Sequence, residues 1–180
     1  FRRVLFRSSM EKIIKKPKHS FLAMIFHWGF VVIFTYGIVK QVDNINQLSD
    51  MALLKFEIIF AIAMMFLLAI RYIYMSKMQV SSLPEDTSIF QKRAAKIVHN
   101  SLYINLAIIP ITGLLIGIFY LLEFNSEGLV IEFLIGLHEF SIVTIYFLIF
   151  LHVSAAIFHR FKKDGVWSSM VPVFRENKNS

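Results

Sequence analysis

The chain contains no cysteine. That removes disulfides, thiolate-bound metals and iron–sulfur clusters, and leaves metal chemistry to histidine, carboxylates or methionine. Charge is also scarce. Only 17% of the 180 residues are Asp, Glu, Lys or Arg, whereas 57% are hydrophobic. No compact basic domain stands outside the apolar runs, so the net charge of +7 does not point to nucleic acid. No internal repeat is visible, which argues against a carrier built from duplicated halves. The basic residues sit in the tails and one loop beside apolar spans, where anionic lipid attracts them. This balance describes an integral membrane protein made of one bundle.

Four apolar runs are present, at residues 21–39, 51–75, 97–122 and 129–161. Each approaches or exceeds the ~20 residues that carry a helix across a bilayer. The first run contains His27 and is followed by no small-residue cleavage signal, so it is read as a retained helix. The second holds Lys55 and Glu57 near its start and Arg71 near its end; the third holds His99 at its entrance and Pro110 in its middle. The connection 77–96 reads as a polar loop containing Pro84, Lys92, Arg93 and Lys96. Met10 lies inside the basic tail and is a candidate native start, with residues 1–9 an extension of uncertain origin. The chain divides into a basic tail (1–20), a membrane domain (21–168) and a second tail (169–180).

Charge sets the expected orientation. The N-terminal tail, the second connection and the C-terminal tail hold nearly all the basic residues; the first and third connections hold Asp43, Asp50, Glu123 and Glu127. The positive-inside rule then places both termini in the cytoplasm, with four helices running up and down through the membrane. The expected fold is all-α, a four-helix up-and-down integral membrane bundle. Tyr72, Tyr74, Tyr103, Tyr120 and Trp167 fall near run ends, as interfacial aromatics do. Gly29, Gly37, Gly113, Gly117 and Gly136 allow close approach of helices or of a flat cofactor.

Ionisable residues inside a membrane span mark functional sites by default. The fourth run carries His138, His152 and His159. His138 and His152 return to within about 40° of one helical face, roughly 21 Å apart along the axis, and His159 continues that face. Topology converts position into depth. His27 and His152 each lie about eight residues from the inner end of their runs, so both sit roughly 12 Å from the inner surface. Two imidazoles facing each other across a bundle suit a porphyrin iron, whose equatorial nitrogens come from the cofactor. With both axial positions filled, such an iron carries electrons.

His138 has no histidine opposite it; helix two offers Glu57 at that depth. Glu57 is a neutral buried acid in a polar network, part of a proton or cation path, or an iron ligand. Arg71, His99 and His159 gather near the inner interface, where they can hydrogen-bond cofactor propionates or a quinone head group; the plain alternative for Arg71 is contact with lipid headgroups.

These residues resemble the bacterial cytochrome b561 family, small four-helix di-haem cytochromes related to b-type subunits of nickel–iron hydrogenases and formate dehydrogenases. The matching pieces are His27-Trp28, Arg71, His99, the IIPITGLL segment with Pro110 and Gly113, His138, His152, His159, Lys163-Asp164 and Met170-Val171-Pro172. The resemblance implies haem b held by His27 and His152, and an outer haem held by His138 and a helix-two histidine. Counting back fourteen residues from Arg71 puts Glu57 where that histidine is expected. It further implies electron transfer to or from quinone, as in relatives passing electrons between quinone and superoxide, or service as a membrane anchor for a soluble dehydrogenase or hydrogenase. The expected partners are lipid and either a quinone or a redox protein, with room for a homo-oligomer. A haem-free carrier or structural membrane protein is the remaining alternative.

Overall fold

The computed structural model describes residues 21–40, 45–78, 82–122 and 128–175. The basic tail with Met10, the Asp43 connection, Glu123, Glu127 and the last five residues lie outside the described residues. Four long helices follow one another: α1 (Phe21–Lys40), α2 (Met51–Met78), α3 (Ile89–Leu121) and α4 (Leu129–Lys162). A 3₁₀ turn, Ile45–Ser49, precedes α2, and a short helix, α5 (Val166–Met170), follows α4. All four long helices are long and apolar enough to cross a membrane.

Local chemistry sets several boundaries. Asp50 starts α2, its Oδ1 accepting from the N–H groups of Ala52 at 2.8 Å and Leu53 at 3.4 Å. Ser88 caps α3 by accepting from the Gln91 N–H at 3.2 Å. Lys163 ends α4 in the left-handed region, at φ 55°.

The second polar connection is therefore shorter than the sequence suggests. Residues 89–96 form the first two turns of α3. The 33 residues of α3 span about 50 Å, well beyond a ~30 Å hydrocarbon layer. Bilayer thickness limits the apolar run but not the helix. Once Ser88 caps the backbone, Gln91, Lys92, Arg93 and Lys96 continue the helix with their side chains in water.

The helices pack in chain order, α1 on α2, α2 on α3 and α3 on α4, and α5 folds back onto both α4 and α1. Among the described residues, α1 and α4 share no comparable packing along their length. Two apolar clusters hold the bundle. One gathers Leu48, Leu54, Ile116, Ile131 and Leu134 near the α2 start. The other gathers Phe30, Met64 and Leu68, flanked by Phe34, Phe60 and Tyr103. Outward faces stay apolar: Val32, Ile59, Phe66, Val143 and Phe150 are each about two-thirds exposed, which only lipid makes favourable.

Candidate functional site

Histidine, arginine and aromatic side chains from all four long helices meet at the end of the bundle where α1 begins and α4 ends. His27 of α1 and His152 of α4 stand with ring centres 6.3 Å apart and planes tilted by 56°, across the seam where those helices do not pack closely. His99 of α3 lies closer still to His152, at 5.2 Å in an edge-on contact. This differs from the expected depth, which put His99 at the interface and left His27 and His152 alone at their level. The physical reason is the length of α3. His99 stands ten residues inside a helix that begins at Ile89, so the start of the apolar run misreports its height.

Arg71 completes the cluster from α2. Its Nη2 lies 2.7 Å from His27 Nδ1. A guanidinium only donates, so His27 Nδ1 accepts and the ring proton resides on Nε2. The guanidinium carbon also stands 5.3 Å from the Phe30 ring centre and 5.9 Å from that of Tyr103. Arg71 Nε is nevertheless buried without a hydrogen-bond partner. The guanidinium thus has donor capacity that a carboxylate beside it would satisfy.

The spacing tests which pair could grip one metal. A metal–imidazole bond is about 2 Å, with the ring centre about 1 Å behind the nitrogen, so two rings on one ion stand about 6 Å apart. His27 and His152, at 6.3 Å, meet that distance; His99 and His152, at 5.2 Å, are too close. Among the described residues no three metal-binding side chains converge as a site for a bare ion. Two facing imidazoles therefore suit a macrocycle that brings its own equatorial nitrogens. Were His27 to hold a metal through Nε2, its ring proton would move to Nδ1, which could then no longer accept from Arg71.

The second level is built differently. His138 Nδ1 is 2.8 Å from the Thr112 hydroxyl, which itself donates to the carbonyls of Ile108 and Ile109 at 2.7 and 3.0 Å. Since Thr112 spends its proton on its own helix, His138 Nδ1–H donates to Thr112. Gly113 makes room for the ring: a Cβ there would sit 3.4 Å from His138 Cε1. His138 is thus seated on α3. Glu57 of α2 is partly buried, and its Oε1 finds no hydrogen-bond partner.

At the far end, the last turn of α4 carries His159. Its Nδ1 lies 2.6 Å from Asp164 Oδ2. The short helix α5 is tied across the bundle end, because Trp28, next to His27, donates from Nε1 to the Met170 carbonyl at 2.9 Å. Arg160 lies over the Trp167 ring at 5.8 Å.

The structure thus brings together His27, His99, His152 and Arg71, seats His138 apart on Thr112 and Gly113, and leaves His159 at the margin. Sequence reasoning missed three partners: Thr112 for His138, Asp164 for His159 and Met170 for Trp28. A hydroxyl beside a glycine in an apolar span was a readable signal for the first. An acid five residues past a histidine, across a helix end, was a weaker one for the second. A backbone carbonyl 142 residues away in the chain leaves no local trace.

No curated protein and no solved structure matches the chain. A family model described as prokaryotic cytochrome b561 matches residues 18–173, spanning all four long helices and the histidine cluster. The chain belongs to the prokaryotic cytochrome b561 family, membrane b-type cytochromes of electron transfer.

Proposed function

We propose that this protein holds one haem b between His27 and His152 and exchanges electrons with the quinone pool at that end of the bundle. The observation that carries the reading is the 6.3 Å separation of those two rings across the α1–α4 seam. His27 and His152 would hold the haem, which would supply one-electron transfer there. The chain supplies the rest. Arg71 is placed to pair with a propionate once it leaves His27 Nδ1. His99, exposed on α3, and His159, at the end of α4, border the cluster where a quinone head group would approach. Trp28, through Met170, fastens the segment after α4 over the same end.

The pairing at the second level supports a single haem. His138 has an oriented Nδ1 but meets no second imidazole among the described residues, and Glu57 is a hard oxygen ligand poorly suited to a low-spin iron. Redox exchange is then confined to the end carrying His27 and His152. The distribution of Lys and Arg supports a cytoplasmic location for that end and both termini, in a bacterial inner membrane.

The test is a reduced-minus-oxidised spectrum of the purified protein with haem quantified per chain. A b-type α band at one haem per chain is expected, and His27→Ala or His152→Ala removes it. Full haem retention in either variant rejects the axial pair; two haems in the wild type reject the one-sided reading.

A further inference from the structure

His159 and Asp164 form an organised pair at the margin of the cluster, and the role assigned to them rests on reading that end of the bundle as quinone-facing. Just past α4 the chain reverses, with Lys163 at φ 55° and Gly165 at φ 85°. The reversal lays Asp164 back on His159. Asp164 Oδ2 is 2.6 Å from His159 Nδ1 and 3.6 Å from Lys162 Nζ, and the paired Asp164 and His159 side chains are 9% and 13% exposed. Asp164 Oδ1 accepts from the Val166 N–H at 3.2 Å. Burial opposes the charge on Asp164. The hydrogen bonds from His159 and Val166 and the charge of Lys162 act against it and hold the carboxyl below its usual range.

An ionised carboxylate only accepts, so the proton of this hydrogen bond belongs to His159 Nδ1. In the neutral ring, Nε2 is then a lone-pair acceptor and cannot donate. The two forms of a quinone differ in the complementary property. The dihydroxy form donates from its O–H groups, whereas the dicarbonyl form only accepts.

We propose that Asp164 is a positioning residue that fixes His159 with Nε2 as the acceptor, so that this end of the bundle binds the dihydroxy form of a quinone in preference to the dicarbonyl form. Asparagine at position 164 should reverse the preference. Val166 N–H requires an acceptor at Oδ1, so the amide oxygen of Asn stays there and its NH₂ faces His159. That NH₂ donates to Nδ1, moving the ring proton to Nε2, which then suits a carbonyl.

The experiment uses the full haem-loaded chain in nanodiscs, at a pH where the nitrogen-15 spectra show a single ring proton on His159. Nitrogen-15 spectra of histidine-labelled, dithionite-reduced protein report which ring nitrogen of His159 carries the proton. Stopped-flow absorbance then gives KM and kcat for haem reduction by a short-chain ubiquinol and for haem oxidation by the matching ubiquinone. The expected wild type has His159 protonated on Nδ1. Asp164→Asn moves that proton to Nε2, raises KM for the quinol about tenfold, the loss of one hydrogen bond, and does not raise KM for the quinone. Asp164→Glu, which keeps a carboxylate, recovers the quinol KM in part. A wild-type His159 protonated on Nε2 overturns the proposal, as does an Asp164→Asn protein whose tautomer changes while both KM values stay put. A wild-type haem that dithionite reduces but neither quinone form touches overturns the ligand assignment and leaves the axial pair standing. A colourless wild-type protein instead removes the haem reading, and quinol and quinone binding to the same labelled His159 signals then decides the preference.

Discussion

Replacing Thr112 with valine removes one hydroxyl and almost no volume, from a side chain only 3% exposed. That hydroxyl accepts from His138 Nδ1–H at 2.8 Å while donating to the Ile108 carbonyl at 2.7 Å. Losing the donation to its own helix costs little, because the α-helical ladder already occupies that carbonyl. The cost falls on the orphaned imidazole N–H. A buried donor left without a partner costs about 1–3 kcal/mol. One feature pulls the figure down. Side-chain hydrogen bonds inside membrane bundles average about 0.6 kcal/mol and reach about 1.7 in double-mutant cycles. The expected loss is therefore about 1 kcal/mol for Thr112→Val, with a coupling of about 0.6–1.7 kcal/mol to His138→Phe. Thr112→Ser keeps the hydroxyl and preserves the coupling. Unfolding in mixed micelles followed by circular dichroism, run on both single variants and the double, gives the cycle. A coupling within about 0.3 kcal/mol of zero, the noise expected for independent sites, refutes the assignment of Thr112 as the group that seats His138.

Packing and acid stability offer two further checks. A Cβ on Gly37 would lie 2.5 Å from Phe60 Cε1 and 2.7 Å from Cζ, and Phe60 is held by its stack on Phe56 and its contact with Tyr36. Gly37→Ala should cost about 1–3 kcal/mol as overpacking, whereas Gly29→Ala, with nothing within 4 Å, should be close to neutral; thermal melts of the two variants compare them directly. Asp164, held below its usual range, contributes stability that is present above the unfolded carboxyl pKa of about 3.9 and is lost as pH falls through the folded value. Acid titration of stability from about pH 6 downward should therefore show a steeper decline in the wild type than in Asp164→Asn, and equal slopes would remove Asp164 from the acid branch.

The fold was legible because membrane helices advertise themselves. Four runs with charge between them determine four spans, and the backbone has no other way to satisfy itself in lipid. The pairing of His27 with His152 was legible for a related reason: each is a fixed number of residues from the same side, and helical rise turns that count into height. The same counting failed for His99. It assumes that a helix begins where its apolar run begins, and Ser88 starts α3 eight residues earlier. Contacts that depend on side-chain direction lay beyond counting. Arg71 and His27 were both expected near one end, yet nothing in their spacing says that the guanidinium donates to Nδ1. That single contact changes the chemistry of the site, because it places the ring proton on the nitrogen that would face His152 if iron bound there. A cofactor held there would move that proton to Nδ1, and Arg71 would then need another acceptor. The spare donor capacity of its buried Nε would suit a carboxylate, so the residue that contacts His27 is also one that could bind a propionate.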